Sequence, residues 1–263
     1  MRNKLVVGNW KMNLTRAQAT AAIESLVLLV DPKTEVEVAI CPPYLTIECV
    51  ANLLKSSHFR VGAQDVFWMS AGAFTGSVSA SMLADAGCSL CIVGHSETRG
   101  RFGKLEVPPS TLPYFAETDE TVNLKIKALL YQSIHPILCV GETLDERNAE
   151  QTDEVIAAQL KGALAGVEGA EFYNGVVAYE PVWAIGTGKT CDNAEANRVC
   201  GFIRSQLRTI LDEDAAESIR ILYGGSVKPA NARELFGQPE IDGGLVGGAS
   251  LDPDDFSEIV RSA

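Results

Sequence analysis

The sequence predicts an α/β protein whose whole length is one single-domain (β/α)8 barrel. Eight short apolar runs recur along the chain, each followed by a helix-like stretch or a loop leading to one. These runs are almost wholly apolar rather than alternating, as strands of a parallel sheet buried on both faces must be. The alternation fills 263 residues without a linker of changed composition. A doubly wound sheet also alternates strand and helix, but eight units in about 250 residues favour a closed barrel.

The strand runs are Lys4–Gly8, Val36–Cys41, Phe59–Gly62, Leu90–Val93, Pro136–Val140, Gly175–Tyr179, Arg220–Tyr223 and Gly243–Val246. The clearest helical stretches between them are Arg16–Val30, Thr121–Tyr131, Asp145–Ala165 and Asn193–Leu211. Only Lys104–Ala116, KLEVPPSTLPYFA, breaks the rhythm. Prolines at 108, 109 and 113 forbid a regular helix there, and a surface loop is expected.

Composition narrows the function. With 22 basic and 34 acidic residues the net charge is −12, which argues against a nucleic-acid or anionic-membrane surface but not against a local pocket for a small anion. The opening MRNKLVVGNW has no apolar core of secretory length, and no run approaches the ~18 apolar residues of a membrane span, so neither a leader nor a span is expected. Seven scattered cysteines fit a reducing cytoplasm better than a disulfide framework.

In such a barrel, chemistry sits on the rim formed by loops after the strands. Asn9 and Lys11 follow the first strand, Gln64 the third, His95 and Glu97 the fourth, Glu180 the sixth, Ser226 the seventh, and Gly247 and Gly248 the eighth. Any one of these residues has a bland reading as a solvated or salt-bridged side chain; their joint placement is informative. Gly224-Gly225-Ser226 and Gly247-Gly248 are tight turns after adjacent strands, where bare backbone N–H groups can cradle a phosphate. Gly188-Lys189-Thr190 is not a P-loop, because position 183 is Trp. Gly186-Thr187-Gly188 lacks the third glycine of a dinucleotide fingerprint, where Cys191 stands. Cys88-x-x-Cys91 has no second pair to complete a zinc site, and both thiols read as core. His58 and His135 read as structural.

Taken together, several segments resemble the triosephosphate isomerase family over nearly the whole chain. They are Gly8-Asn9-Trp10-Lys11-Met12-Asn13, Gly72-Ala73-Phe74-Thr75-Gly76, Gly94-His95-Ser96-Glu97, Cys139-Val140-Gly141-Glu142, Ala178–Lys189 (AYEPVWAIGTGK), Tyr223–Val227 and Leu245–Ser250. The resemblance implies a TIM barrel that interconverts D-glyceraldehyde 3-phosphate and dihydroxyacetone phosphate through an enediol(ate), with no cofactor and no metal, in glycolysis and gluconeogenesis. It implies Glu180 as the base and His95 as an electrophile. In that family, a well-studied case of pKa tuning, the histidine works as neutral imidazole because a following helix N-terminus disfavours imidazolium. Lys11 would supply a positive charge and Asn9 a hydrogen bond, Glu97 would help position the site, and phosphate would rest on N–H groups of Gly186, Ser226, Gly247 and Gly248. Pro181–Lys189 would be a lid whose closure excludes water. A cytoplasmic homodimer is implied, without nucleic-acid or membrane partners. A catalytically silent phosphate-binding barrel, and another phosphosugar-barrel enzyme, are the alternatives; a binder needs no base, and the second would not explain Ala178–Lys189.

Two departures from the family pattern stand out. Ser77 replaces a glutamate that commonly pairs with a partner's arginine near the position of Arg99. Both Phe102-Gly103 and Phe115-Ala116 fit one family position, so residues 104–116 are expected to be an insertion. Leu105, Val107, Leu112, Tyr114 and Phe115 give it apolar surface, and it is expected to cover the rim beside the dimer contact.

Overall fold

The structure is a computed structural model describing residues 2–104, 107–187 and 189–263. Eight parallel strands, β1 (Leu5–Asn9), β2 (Glu37–Cys41), β3 (Arg60–Ala63), β4 (Leu90–Val93), β5 (His135–Val140), β6 (Val176–Tyr179), β7 (Arg220–Tyr223) and β8 (Gly243–Val246), close into a barrel in chain order. The ring is sealed where β1 pairs with β8, Leu5 opposite Gly243 and Gly8 opposite Val246. Alternate strand residues explain the continuous apolar runs. Leu5, Val7, Ala39, Cys41, Leu90, Ile92, Ile137, Cys139, Val176, Ala178, Leu222 and Leu245 form one cluster, in the barrel interior. Their neighbours, such as Val6, Val38, Ile40, Cys91, Val93, Leu138, Val177 and Ile221, join a second cluster with the surrounding helices. The strands are therefore buried on both faces, and Cys88 and Cys91 are free, buried core thiols.

The outer layer comprises α1 (Arg16–Leu29), α2 (Tyr44–Leu54), α3 (Ala80–Asp85), α4 (Asp119–Tyr131), α5 (Leu144–Asn148), α6 (Thr152–Ala163), α7 (Gly169–Phe172), α8 (Asn193–Ile210), α9 (Glu213–Ser218), α10 (Pro229–Phe236) and α11 (Pro253–Arg261). The helix expected over Asp145–Ala165 is two helices. Glu150 takes a left-handed φ of 59°, and Gln151 N donates to Glu146 O, ending α5 before α6 begins.

The barrel floor is closed by charge. Glu37 takes Arg60 on one carboxylate oxygen and Arg220 on the other, both at 2.5 Å, and Arg60 Nη2 lies 3.1 Å from His135 Nδ1. His135 opens β5 rather than preceding it.

The 104–116 segment forms no α-helix among its described residues, but Pro109–Tyr114 makes a 3-10 helix with Pro109 at its first position. Phe115 meets Phe102 edge to face at 5.4 Å, which draws the two ends of the excursion together. Tyr114 meets Phe115 edge to face at 5.2 Å yet stays 86% exposed, against the expectation that the excursion's apolar surface is covered. Leu105 of that set, and Gly188 of the expected lid, lie outside the described residues.

Candidate active site

A cavity of about 240 Å3 opens on the rim, lined by Asn9, Lys11, Gln64, His95, Glu97 and Thr98 with Met12, Pro43, Tyr44 and Asp65. The β1 loop enters it under strain. Lys11 holds φ at 51°, a conformation costly to a residue with a Cβ. Neighbours fix it there: Lys11 N donates to Asn9 Oδ1 at 3.0 Å, and Gln64 Nε2 donates to Lys11 O and Cys41 O, both at 2.9 Å. The ammonium reaches Glu97 Oε1 at 2.5 Å.

His95 is 6% exposed and contacts Glu180, which is 2% exposed, through Nε2 and Oε1 at 2.9 Å. Glu97 N donates to His95 Nδ1 at 3.1 Å, so Nδ1 carries no proton and the remaining proton sits on Nε2, facing Glu180. Burial disfavours imidazolium, while the carboxylates of Glu180 and Glu97 pull the ring's pKa upward. The Glu97 N–H itself favours a neutral ring, because a second proton would set Nδ1–H against it. The helix N-terminus expected after His95 is a single turn, with Thr98 N and Arg99 N both donating to His95 O. One aimed amide, rather than a helix dipole, acts on the imidazole.

Glu180 follows β6 directly, and its N–H donates to Val140 O. Its carboxylate also accepts from Ser96 N at 2.9 Å. Burial pushes its pKa up, but His95, the Ser96 N–H and Lys11 outweigh burial and hold it below the ordinary carboxylate value. Gly141 passes so close that a Cβ there would overlap the Glu180 carbonyl.

On the far side, Trp10 Nε1 donates to Ser250 O, and the 3-10 turn Gly248–Leu251 begins beside Gly247, whose Cβ position lies 3.5 Å from Lys11 Cε. The structure thus brings Gly247 against Lys11. Ser226, whose carbonyl accepts from Asn231 Nδ2, and Gly186, exposed at φ 67° in the expected lid, sit on the same rim but do not line the cavity.

In the segment expected to be a lid, Val182–Ala184 is a 3-10 turn packed inward. Trp183 Nε1 donates to Glu142 Oε1 at 2.8 Å, and Arg147 lies over the indole at 4.5 Å. Burial raises the pKa of Glu142, which is wholly buried, against hydrogen bonds from Trp183 and Tyr179. Beneath the His95 turn lies a second charged group. Lys125, 6% exposed, bonds Asp65 Oδ1 at 2.6 Å and also Glu117, whose other oxygen accepts from Thr98.

Sequence reasoning missed Ser96 as the amide that holds Glu180, although it stands in the quoted Gly94–Glu97 segment. It gave Glu142 no role, and it missed Lys125 and Glu117, whose pairing leaves no mark in sequence spacing. Arg99, near the position whose usual carboxylate partner Ser77 replaces, turns inward to Gly94 O and Asp119 Oδ1.

The triosephosphate isomerase family model matches residues 4–263. Triosephosphate isomerases of Trichlorobacter lovleyi and Moorella thermoacetica are each 48% identical over 261 residues, spanning 99% of both chains. That of Rhodopirellula baltica is 45% identical over 262 residues, covering 100% of this chain and 98% of its own. With a closed eight-stranded parallel barrel and these matches along its length, the chain belongs to the triosephosphate isomerase family.

Proposed function

We propose that the protein isomerises D-glyceraldehyde 3-phosphate and dihydroxyacetone phosphate by moving one proton between adjacent carbons. The observation that carries this reading is the His95–Glu180 contact: a carboxylate kept ionised, facing a neutral imidazole whose Nε2–H points into the site. Glu180 is the base. Leaving Ser96 and His95, it takes a proton from substrate carbon and returns it to the neighbouring carbon, with the electron pair held meanwhile in an enediolate. His95 Nε2–H, freed from the carboxylate, donates to the substrate oxygens, and Lys11 sets a positive charge beside the developing oxyanion. Asn9 donates from its amide nitrogen, while Glu97 fixes the Lys11 ammonium and, through its N–H, the His95 tautomer. Backbone N–H groups of Gly186, Ser226, Gly247 and Gly248 take the phosphate. Closure of the lid brings Gly186 to that phosphate and excludes water from the enediolate.

The working unit is a homodimer in the cytoplasm, serving glycolysis and gluconeogenesis. Support comes from exposed apolar groups beside the cavity mouth, Met12, Tyr44 and Leu45, and from Phe74 and Met82. Residues 1–263 form one domain, in which 104–116 is an addition to the family barrel. No described helix is long and apolar enough to cross a membrane.

The test is an assay of the purified chain on D-glyceraldehyde 3-phosphate, coupled to NADH-dependent reduction of dihydroxyacetone phosphate. Turnover without added cofactor to the isomerase step is expected. Phosphate binding without turnover would instead mark a silent barrel.

A further inference from the structure

We propose that Gly103 is a positioning residue: its bare backbone forms a seat for the lid in the arrangement seen here, and the 104–116 excursion holds that seat in place. The inference rests on the isomerase reading above. A Cβ at Gly103 would overlap the carbonyl oxygens of both Val182 and Ile185 and lie 3.2 Å from Thr187 Cγ2. The chain entering the excursion therefore lies directly against the lid backbone, on three residues of one loop.

The seat is anchored on both sides. Before it, Arg101 N donates to Ser96 O, and Arg101 Nη2 reaches Gly141 O at 3.1 Å and also bonds Glu146. After it, the chain returns at Phe115, which meets the Phe102 ring and passes so close to Gly100 that a Cβ there would lie 2.8 Å from Phe115 O. Glu117 N then donates to Thr98 O. Both limbs thus end on the turn that carries His95 and Ser96, and the lid rests on the same piece of chain that presents the electrophile. The opposite side of the lid is held through Trp183 by Glu142 and Arg147.

A methyl at position 103 raises the free energy of the seated lid and leaves any unseated lid untouched. If the closed state is the one that grips substrate, apparent affinity is the intrinsic affinity multiplied by the fraction competent to bind. Gly103→Ala then lowers KM and the dissociation constant of a phosphate-bearing enediolate mimic together, by about fivefold, the low end of ordinary coupling. It speeds closing rather than slowing opening, so kcat stays within about twofold of wild type. Phe115→Ala, which loosens the excursion without adding bulk at the seat, shifts binding in the same direction more weakly.

The experiment measures 2-phosphoglycolate affinity, kcat and KM for the full chain, Gly103→Ala and Phe115→Ala, with 19F spectra of 5-fluorotryptophan-labelled protein. The three tryptophans are Trp10, Trp68 and Trp183, and Trp183→Phe assigns the lid resonance. Expected are tighter 2-phosphoglycolate binding, lower KM with kcat kept, and a Trp183 resonance moved toward its ligand-bound position in the free Gly103→Ala protein. Unchanged or weaker binding in both variants, with wild-type melting and an unmoved Trp183 signal, overturns the seat. A fall in kcat with KM unchanged also overturns it. Wild-type protein that neither binds 2-phosphoglycolate nor isomerises would overturn the functional reading instead, which separates the two failures.

Discussion

Replacing Lys125 by Met tests how far the His95 turn rests on buried charge. Burial works against the ammonium, but Asp65 and Glu117 outweigh it and raise its pKa above the ordinary lysine value. Removing one member of a buried ion pair costs about 3–5 kcal/mol, because the other charge is left uncompensated. Asp65 is 36% exposed and regains water once the lysine is gone; Glu117, 5% exposed, does not. With one carboxylate carrying the penalty, the lower figure of about 3 kcal/mol applies. An unfolding entropy of about 2.1 cal/mol/K per residue gives roughly 0.55 kcal/mol/K for a chain of this length, so the melting temperature should fall by roughly 5 °C at pH 7. Lys125→Met combined with Glu117→Gln should recover most of that fall. Calorimetry of wild type and the two variants at pH 7 is the assay. A single variant melting within about 1 °C of wild type at pH 7, against the shift expected from a buried pair, would refute the reasoning.

Lys11→Met should keep the fold, since Met meets the same left-handed backbone, but lose about 100-fold or more in kcat/KM, with weaker inorganic phosphate binding as a direct check. Because His95, the Ser96 N–H and Lys11 hold the Glu180 pKa down against burial, the base stays ionised as pH falls through the ordinary carboxylate range. An acid limb of kcat/KM at or above about pH 6 should therefore come from His95, whose pKa the Glu180 and Glu97 carboxylates pull upward, and a further limb in the ordinary carboxylate range, near about pH 4–5, would contradict the geometry at Glu180. His135 is the converse case: burial, Arg60 and Arg220 lower its pKa, so near pH 6 the unfolded chain binds a proton that the folded chain refuses. Stability should decline as pH falls from about 7 to about 5, and His135→Gln should flatten that part of a melting-temperature curve.

The barrel was legible because its strands leave a simple mark. Leu90–Val93, Arg220–Tyr223 and Gly243–Val246 were read with the bounds they have, since buried parallel strands are unbroken apolar runs flanked by polar punctuation. The Asp145–Ala165 helix was misread because Glu150 adopts a left-handed φ without glycine to announce it. Asn9, Lys11, His95 and Glu97 meet at one cavity and Glu180 joins through His95, because barrel topology carries residues after different strands to one rim. What sequence could not supply was pairing over distance. The Glu97 N–H that fixes the His95 tautomer, the Ser96 N–H on Glu180, and the Asp65–Lys125–Glu117 group depend on how loops settle against one another, which periodicity does not encode.

The role of Glu180 is tested most directly by following D-glyceraldehyde 3-phosphate in D2O by proton NMR, with wild type and Glu180→Gln side by side. Wild type should form dihydroxyacetone phosphate with solvent deuterium at the carbon that receives the proton. Glu180→Gln should still bind inorganic phosphate yet lose at least about 10²–10⁴-fold in turnover and in deuterium exchange. A Glu180→Gln protein that isomerises and exchanges at the wild-type rate would contradict the assignment of the base.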